Sequence, residues 1–257
     1  MTVTILDDDE PDPVALERPE GHSPILVACD HAGRHVPRRL GRLGLPEGEF
    51  DRHIAWDIGA AGIARGLSER LDATLVAQRY SRLVIDCNRP PDVANSVPVV
   101  SEATPVPGNV DLPPEAREAR AAEVFWPYHA RIAAEIDRRA AGGRSTVLVA
   151  MHSFTPVYLG TARPWHVGTL YGRDARLARA LHPLLVAETG LVVGDNEPYA
   201  VTDDTDYTIP VHGEARGLVH VGIEIRQDLV ADGKGEAEWA ERLARLLPAA
   251  LGELGIR

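Results

Sequence analysis

Residues 24–31 read PILVACDH, an apolar run that ends in two polar residues. A short continuous run of this kind predicts a strand that is covered on both faces of a sheet. Further runs of the same character lie at residues 73–77, 83–87, 146–151, 167–170, 191–193 and 218–225.

Segments with helical periodicity separate several of these predicted strands. Between residues 54 and 71, apolar side chains recur every three or four positions, which predicts an amphipathic helix with one buried face. Similar patterns predict helices at residues 114–140, 174–189 and 236–251. Alternating strands and helices favour the α/β fold class. We therefore predict a three-layer sandwich, with a mostly parallel or mixed sheet and helices on both faces. It forms one domain over residues 1–257, with a flexible segment at residues 1–20.

Size, composition and charge exclude several classes of protein. The chain has 257 residues, and its formal net charge of −11 would repel nucleic acid. No apolar stretch approaches the roughly 20 residues that cross a bilayer. The N-terminus is acidic, whereas a secretory signal is basic and then apolar. We therefore expect a cytoplasmic protein that binds neither nucleic acid nor a membrane. Cys29 and Cys87 are too few for a disulfide scaffold, and we expect both to be buried.

Two long segments, residues 90–114 and 195–217, show no convincing periodicity. The first is rich in proline, serine and asparagine. An irregular loop of this length inside a compact domain often has a function, such as a lid or a wall of a substrate pocket.

Two histidines follow the ends of predicted strands. His31 comes just after the run at 24–29, and His152 comes directly after the run at 146–151. In open α/β sheets, ligand sites gather beyond the carboxyl ends of the strands. Two imidazoles that meet there form a pair that zinc favours. Two residues are candidates for the third ligand, Asp57 and His53. They lie four residues apart on one face of a predicted helix.

Glu224 lies inside an apolar run, where a buried carboxylate is costly unless it is paired or used. One interpretation is a salt bridge with Arg226 or Arg82. The other is a general base, which accepts the proton of a water beside a metal and passes it to the leaving nitrogen.

Arg82 and Arg89 flank the run at 83–87. The guanidinium of Arg89 is planar and can bind a substrate carboxylate through two parallel hydrogen bonds, with Asn88 beside it. Arg82 could have the same role or stabilise a developing oxyanion. For either arginine, pairing with Asp86 or Asp30 is the structural alternative.

Six segments of the chain resemble the N-formylglutamate amidohydrolase family. They extend from residue 29 to residue 229 and so cover most of the chain, and the most specific is SRLVIDCNRP at residues 81–90. In order, the segments read CDHAGRHVP, HIAWDIGA, RYSRLVIDCNRP, MHSFTP, GDNEPY and VGIEIRQDL.

This resemblance implies a phosphorylase/hydrolase-like fold of the zinc-carboxypeptidase kind. It implies one Zn²⁺ per chain on His31, Asp57 and His152, with Glu224 as the base. Carboxypeptidases take their first two ligands from a His-x-x-Glu pair, but Arg34 stands at the second position here. Asp57 is therefore assigned by analogy with cell-wall amidases, in which the acid opens the following helix. The resemblance also implies that Asn88 and Arg89 bind the substrate carboxylate.

The expected activity is zinc-dependent hydrolysis of the amide bond of an N-acyl amino acid. The resemblance favours an N-formyl amino acid such as N-formylglutamate, so the partner is a small anionic substrate. Two alternatives are a zinc amidase or peptidase with a larger substrate, and a non-catalytic protein that binds an acidic metabolite. The sequence leaves the acyl group, the amino acid, the native metal and the oligomeric state open.

Overall fold

A seven-stranded sheet forms the centre of the protein in this computed structural model, which describes residues 3–256. Eleven strands occur in that range. They are β1 (Val14–Glu17), β2 (Ile25–Cys29), β3 (Thr74–Gln78), β4 (Val100–Ser101), β5 (Thr104–Pro105), β6 (Val147–Phe154), β7 (Val157–Tyr158), β8 (Thr161–Ala162), β9 (Val167–Leu170), β10 (Val193–Asp195) and β11 (Val219–Arg226).

The main sheet is mixed, with a parallel centre. Its spatial order is β1-β3-β2-β6-β11-β9-β10, and the four strands from β3 to β11 in this order are parallel neighbours. At the two sides, β1 pairs antiparallel with β3, and β9 pairs antiparallel with β11. The pairs β4–β5 and β7–β8 form two separate short hairpins.

Helices cover the sheet in two layers. They are α1 (Ala60–Leu71), α2 (Pro114–Arg120), α3 (Trp126–Ala141), α4 (Arg176–Val186) and α5 (Gly233–Glu253). One face of the sheet packs against α1, α4 and α5, and the other packs against α3 and the irregular segments. Alternate residues of β6 divide between the two cores, with Val147 and Val149 in the first and Leu148 in the second. The predicted α/β three-layer sandwich is therefore confirmed.

The apolar run at 83–87 is not a strand, so that prediction is wrong. The segment is a buried turn in which Val84 donates a backbone hydrogen bond to Ser81. The side chain of Asn109 donates to the carbonyl of Leu83, and Arg120 donates to the carbonyl of Val84, both at 2.9 Å. Distant side chains thus satisfy backbone groups that a neighbouring strand would otherwise bind.

The first helix begins later than its periodicity predicts, at Ala60 instead of residue 54. The residues before it form a turn in which the backbone of Asp57 donates a 2.9 Å hydrogen bond to the carbonyl of His31. Gly59 then takes a positive φ of 80°, which a residue without Cβ adopts easily. This turn holds Asp57 against the end of β2.

The two long segments without periodicity are largely irregular. The first contains the β4–β5 hairpin, and the second contains a π-helical stretch at Ile209–Glu214. No helix within residues 3–256 is both long and apolar enough to span a membrane.

Candidate metal centre

His31, His152 and Glu224 meet at the carboxyl edge of the parallel strands. Glu224 lies directly opposite His152 in the pairing of β11 with β6. The side chain of His152 is in phase with that of Leu148, which faces the layer formed by α3 and the irregular segments. The site therefore opens on the face that loops cover.

His31, Asp57 and His152 form a compact buried cluster that could hold a metal ion. Their candidate ligand atoms all lie within 4.8 Å of one another. Nδ1 of His31 and Nδ1 of His152 lie 3.3 Å and 3.0 Å from the same oxygen, Oδ2 of Asp57. Two imidazole nitrogens and one carboxylate oxygen are a ligand set found in catalytic zinc sites, which keep a further position open.

A carboxylate holds the outer nitrogen of each histidine. Nε2 of His31 lies 2.7 Å from Oδ1 of Asp86, and Nε2 of His152 lies 3.1 Å from Oδ2 of Asp30. Thr208 in turn donates a 2.6 Å hydrogen bond to Oδ1 of Asp30. Histidines that ligate metals are oriented in this way, with the second nitrogen bound to a carboxylate. The arrangement fits a metal-binding cluster.

The field in the cluster favours positive charge. Burial and the charge of Arg82 act against protonation of His31, but Asp86 and Asp57 outweigh them, and the pKa of His31 is raised. Burial also opposes protonation of His152, yet contacts with Asp30 and Asp57 raise its pKa well above the usual value. Despite burial, the adjacent imidazoles lower the pKa of Asp57 well below its usual range. A field that stabilises a proton between these groups also stabilises a metal cation.

Glu224 is buried beside the cluster, and its Oε2 has no hydrogen-bond partner among the residues that the structure describes. Burial, together with the charge of Asp57, raises the pKa of its carboxyl to about 7 against the opposing effect of the two histidines. A carboxyl with such a pKa can exchange a proton near neutral pH. Neither Arg226 nor Arg82 forms an ion pair with it within the described range.

The second oxygen of Asp57 faces Arg82 and His53. Nη1 of Arg82 lies 3.3 Å from Oδ1 of Asp57, and Nδ1 of His53 lies 3.7 Å from the same atom. His53 therefore lies beside the cluster and outside its group of three. Arg82 also donates hydrogen bonds of 3.1 Å and 2.7 Å to Oδ2 of Asp86, so the pairing weighed as an alternative is present.

Both polar atoms of the Asn88 side chain are hydrogen-bonded, whereas the guanidinium of Arg89 has few partners. Oδ1 of Asn88 accepts the backbone N–H groups of Tyr207 and Thr208, both at 3.1 Å, and its amide donates to Asp206. Asn88 thus ties the second irregular segment to the site. Nε of Arg89 lies 3.6 Å from Asp86, which leaves donors of its guanidinium for a ligand.

A cavity of about 580 Å³ opens over the cluster. His31, Asp57, His152 and Glu224 line it, and so do Arg82, Asn88 and Arg89. Parts of both irregular segments form its walls, as does the β7–β8 hairpin through Tyr158. The predicted site residues are therefore brought together at one cavity.

Other groups at the site were not identified as functional residues from the sequence. Asp30 and Asp86 appeared only as alternatives for pairing with arginines, although Asp30 directly follows the apolar run at 24–29 and Asp86 is a carboxylate inside the run at 83–87, and both could have been examined on that ground. Tyr158 and Arg163 lie in a segment with no recognisable pattern, and Tyr199, the last residue of GDNEPY, was not given a role. Their proximity to the cavity depends on how the loops fold.

Comparisons with known proteins agree with the geometry. The family model for N-formylglutamate amidohydrolase matches residues 23–231. The chain is 27% identical to an N-formylglutamate deformylase from Pseudomonas aeruginosa over 254 residues, which cover 91% of this chain and 92% of that protein.

Two solved structures are similar to the protein over nearly their full lengths. The first, gene product Atu2144 from Agrobacterium tumefaciens, has 40% sequence identity and a TM-score of 0.94, and the match covers 98% of this chain and 99% of that one. The second, an N-formylglutamate amidohydrolase from Ralstonia eutropha, has 21% identity and a TM-score of 0.67, covering 95% and 100%, and it supports the fold. The family model spans most of the chain, so this protein belongs to the N-formylglutamate amidohydrolase family.

Proposed function

We propose that the protein is a zinc-dependent amidohydrolase that cleaves the amide bond of an N-formyl amino acid such as N-formylglutamate. The products would be formate and the free amino acid. The observation that carries the proposal is the His31–Asp57–His152 cluster with the unpartnered Glu224 beside it in one cavity. Family membership and the N-formylglutamate deformylase of Pseudomonas aeruginosa support this reaction class.

His31, Asp57 and His152 would hold the zinc, and Asp86 and Asp30 would keep the two imidazoles oriented through their outer nitrogens. A zinc ion in such a site lowers the pKa of water and polarises a carbonyl group. This donor set and its carboxylate partners are the features of the chain that suit the metal.

Glu224 would act as the proton carrier of the reaction. Its carboxylate accepts a proton from the attacking water, while the water oxygen forms a bond to the formyl carbon. It then donates this proton to the amide nitrogen as the carbon–nitrogen bond breaks. The unpartnered Oε2 and the pKa of about 7 suit a group that must both accept and release a proton.

Arg89 and Arg82 would supply positive charge at the reaction centre. Arg89 keeps donors free for the α-carboxylate of the substrate, and Asn88 supports this wall by holding residues 206–208. Arg82 is fixed by Asp86 and Asp57 and lines the cavity, so its guanidinium can stabilise the negative charge that develops on the acyl oxygen.

The first test is the metal content of the purified protein, measured together with amine release from N-formyl and N-acetyl amino acids. About one zinc per chain, as one three-ligand site requires, and hydrolysis that a chelator stops would support the proposal. No metal and no turnover after zinc addition would contradict it and favour the non-catalytic binding protein. Cleavage of acylated peptides but not of free N-acyl amino acids would favour the amidase with a larger substrate.

A further inference from the structure

Arg163 is a cation at the edge of the site that the proposed reaction does not use. It directly follows the β7–β8 hairpin, and its backbone N–H donates a 2.8 Å hydrogen bond to the carbonyl of Pro156. This bond and the hairpin fix where its side chain starts. The guanidinium carbon lies 4.6 Å from the centre of the Tyr158 ring and 4.8 Å from that of Tyr199.

The two tyrosine rings hold the guanidinium but satisfy few of its hydrogen-bond donors. Within residues 3–256 the group makes one long side-chain hydrogen bond, 3.4 Å to Oγ1 of Thr155, and no carboxylate pairs with it. Arginine has five N–H donors in the plane of its fork. Contacts with aromatic faces stabilise the charge and leave that planar edge available for bidentate binding of a carboxylate.

The surroundings of Arg163 connect it to the proposed substrate cavity. Tyr158 and Tyr199 both line that cavity, and both remain partly exposed. Arg163 is also close enough to His53, another residue of the cavity wall, to add to the effect of burial in lowering the pKa of that imidazole. Arg163 itself is not one of the residues that line the cavity, but its guanidinium lies against two rings that do, at the edge of the space in which the substrate would lie.

Arg89 is linked to the metal-binding cluster through one intermediate residue, whereas Arg163 has no such link. Arg89 contacts Asp86, which is bound to His31 of the cluster. Within residues 3–256, Arg163 forms no hydrogen bond or ion pair with the three cluster residues, and its guanidinium lies against aromatic rings and donates to Thr155. The α-carboxylate is one carbon away from the scissile amide nitrogen, so it matches Arg89. A carboxylate at the end of a side chain matches Arg163.

We propose that Arg163, held against the rings of Tyr158 and Tyr199, binds the side-chain carboxylate of the substrate and is the residue that distinguishes an acidic side chain from a neutral one of the same shape. This inference rests on the proposed amidohydrolase function. The two tyrosines are positioning residues for the guanidinium, and the second cation accounts for recognition of a dianionic substrate.

The test compares N-formyl-L-glutamate with N-formyl-L-glutamine, which have nearly the same shape and differ in one charge. We expect the wild-type protein to prefer the glutamate compound. Arg163→Met should lower kcat/KM for that substrate by about 10- to 100-fold, mainly through KM, because a hydrogen-bonded ion pair is lost. The effect on the glutamine compound should be much smaller. Arg70→Met is the matched control, since Arg70 is an exposed arginine on α1 away from the cavity.

Each outcome separates this inference from the function on which it rests. Equal losses for both substrates, or no loss in Arg163→Met, would overturn the role of Arg163 while leaving the amidohydrolase function intact. A wild-type protein that shows no preference between the two substrates would do the same. Absence of hydrolysis of any N-acyl amino acid by the zinc-loaded wild type would contradict the proposed function itself. Arg163→Lys, which retains the charge without the planar fork, should keep part of the preference and guards against misfolding of the Met variant.

Discussion

Replacement of Asp30 by asparagine should weaken metal binding without removing any metal ligand. Oδ2 of Asp30 lies 3.1 Å from the outer nitrogen of His152, and Oδ1 accepts a hydrogen bond from Thr208. The substitution keeps the size of the side chain and removes its negative charge. The imidazole of His152 would then be less firmly oriented and a weaker donor towards the cluster.

The magnitude follows from the role of such outer contacts. Mutation of a group that orients a metal-binding histidine costs about 10- to 100-fold in metal affinity. This range corresponds to about 1.4 to 2.7 kcal/mol of binding free energy. Asp30 is almost fully buried, so water cannot easily replace the lost charge, and we expect a value towards the upper end of this range.

The assay is a competition between the protein and a chelator of known zinc affinity, followed in Asp30→Asn and wild type at the same pH. Asp206→Asn is the matched control, because Asp206 lines the same cavity but hydrogen-bonds to Asn88 and not to a cluster histidine. We expect a smaller loss of affinity in this control. If Asp30→Asn bound zinc as tightly as the wild type, Asp30 would not orient His152. If both variants lost the same affinity, the loss would be a general effect of removing negative charge near the site.

Further predictions concern the base, its titration and a buried arginine. Glu224→Gln should abolish turnover while zinc stays bound, which metal analysis and a turnover assay would measure. Retained activity would refute the role of Glu224 as the base. The proposed role of Glu224 as a base requires its ionised form, and burial raises its pKa to about 7, so kcat/KM should fall as the pH drops through about 7. A bound cation would move this midpoint lower, and a rate that increases with acidity would contradict the role. Arg139 is fully buried and donates to the carbonyls of residues 23–25 and to Thr74, away from the cavity. Arg139→Ala should therefore reduce the free energy of unfolding in urea by about 2–4 kcal/mol, because these buried acceptors lose their donor. An unfolding midpoint like that of Arg70→Ala would show that these hydrogen bonds contribute little.

Much of the fold could be predicted because local pattern and tertiary environment agree. The strands that end near His31 and His152 are buried on both faces, and a continuous apolar run is the direct consequence. The position of polar residues at their carboxyl ends then predicts that the two histidines meet. Neither step depends on contacts between distant loops.

The incorrect strand at 83–87 shows where local pattern is insufficient. The run is as apolar and as buried as a strand, yet its carbonyl groups bind the side chains of Asn109 and Arg120. Those partners lie in the irregular segment and in α2, and no spacing rule connects them with the run. The amide of Asn88 is likewise engaged by residues 206–208, a contact that sequence distance conceals.

The division of the site between sheet and loops affects how the protein could diversify. His152 and Glu224 lie on parallel strands and His31 just beyond the end of another, whereas much of the cavity wall comes from residues 90–114 and 195–217. Insertions and substitutions in surface segments are tolerated more easily than changes in a packed core. Descendants of one ancestral protein can therefore change substrate by remodelling the exposed parts of these two segments while they inherit the same His31–Asp57–His152 cluster.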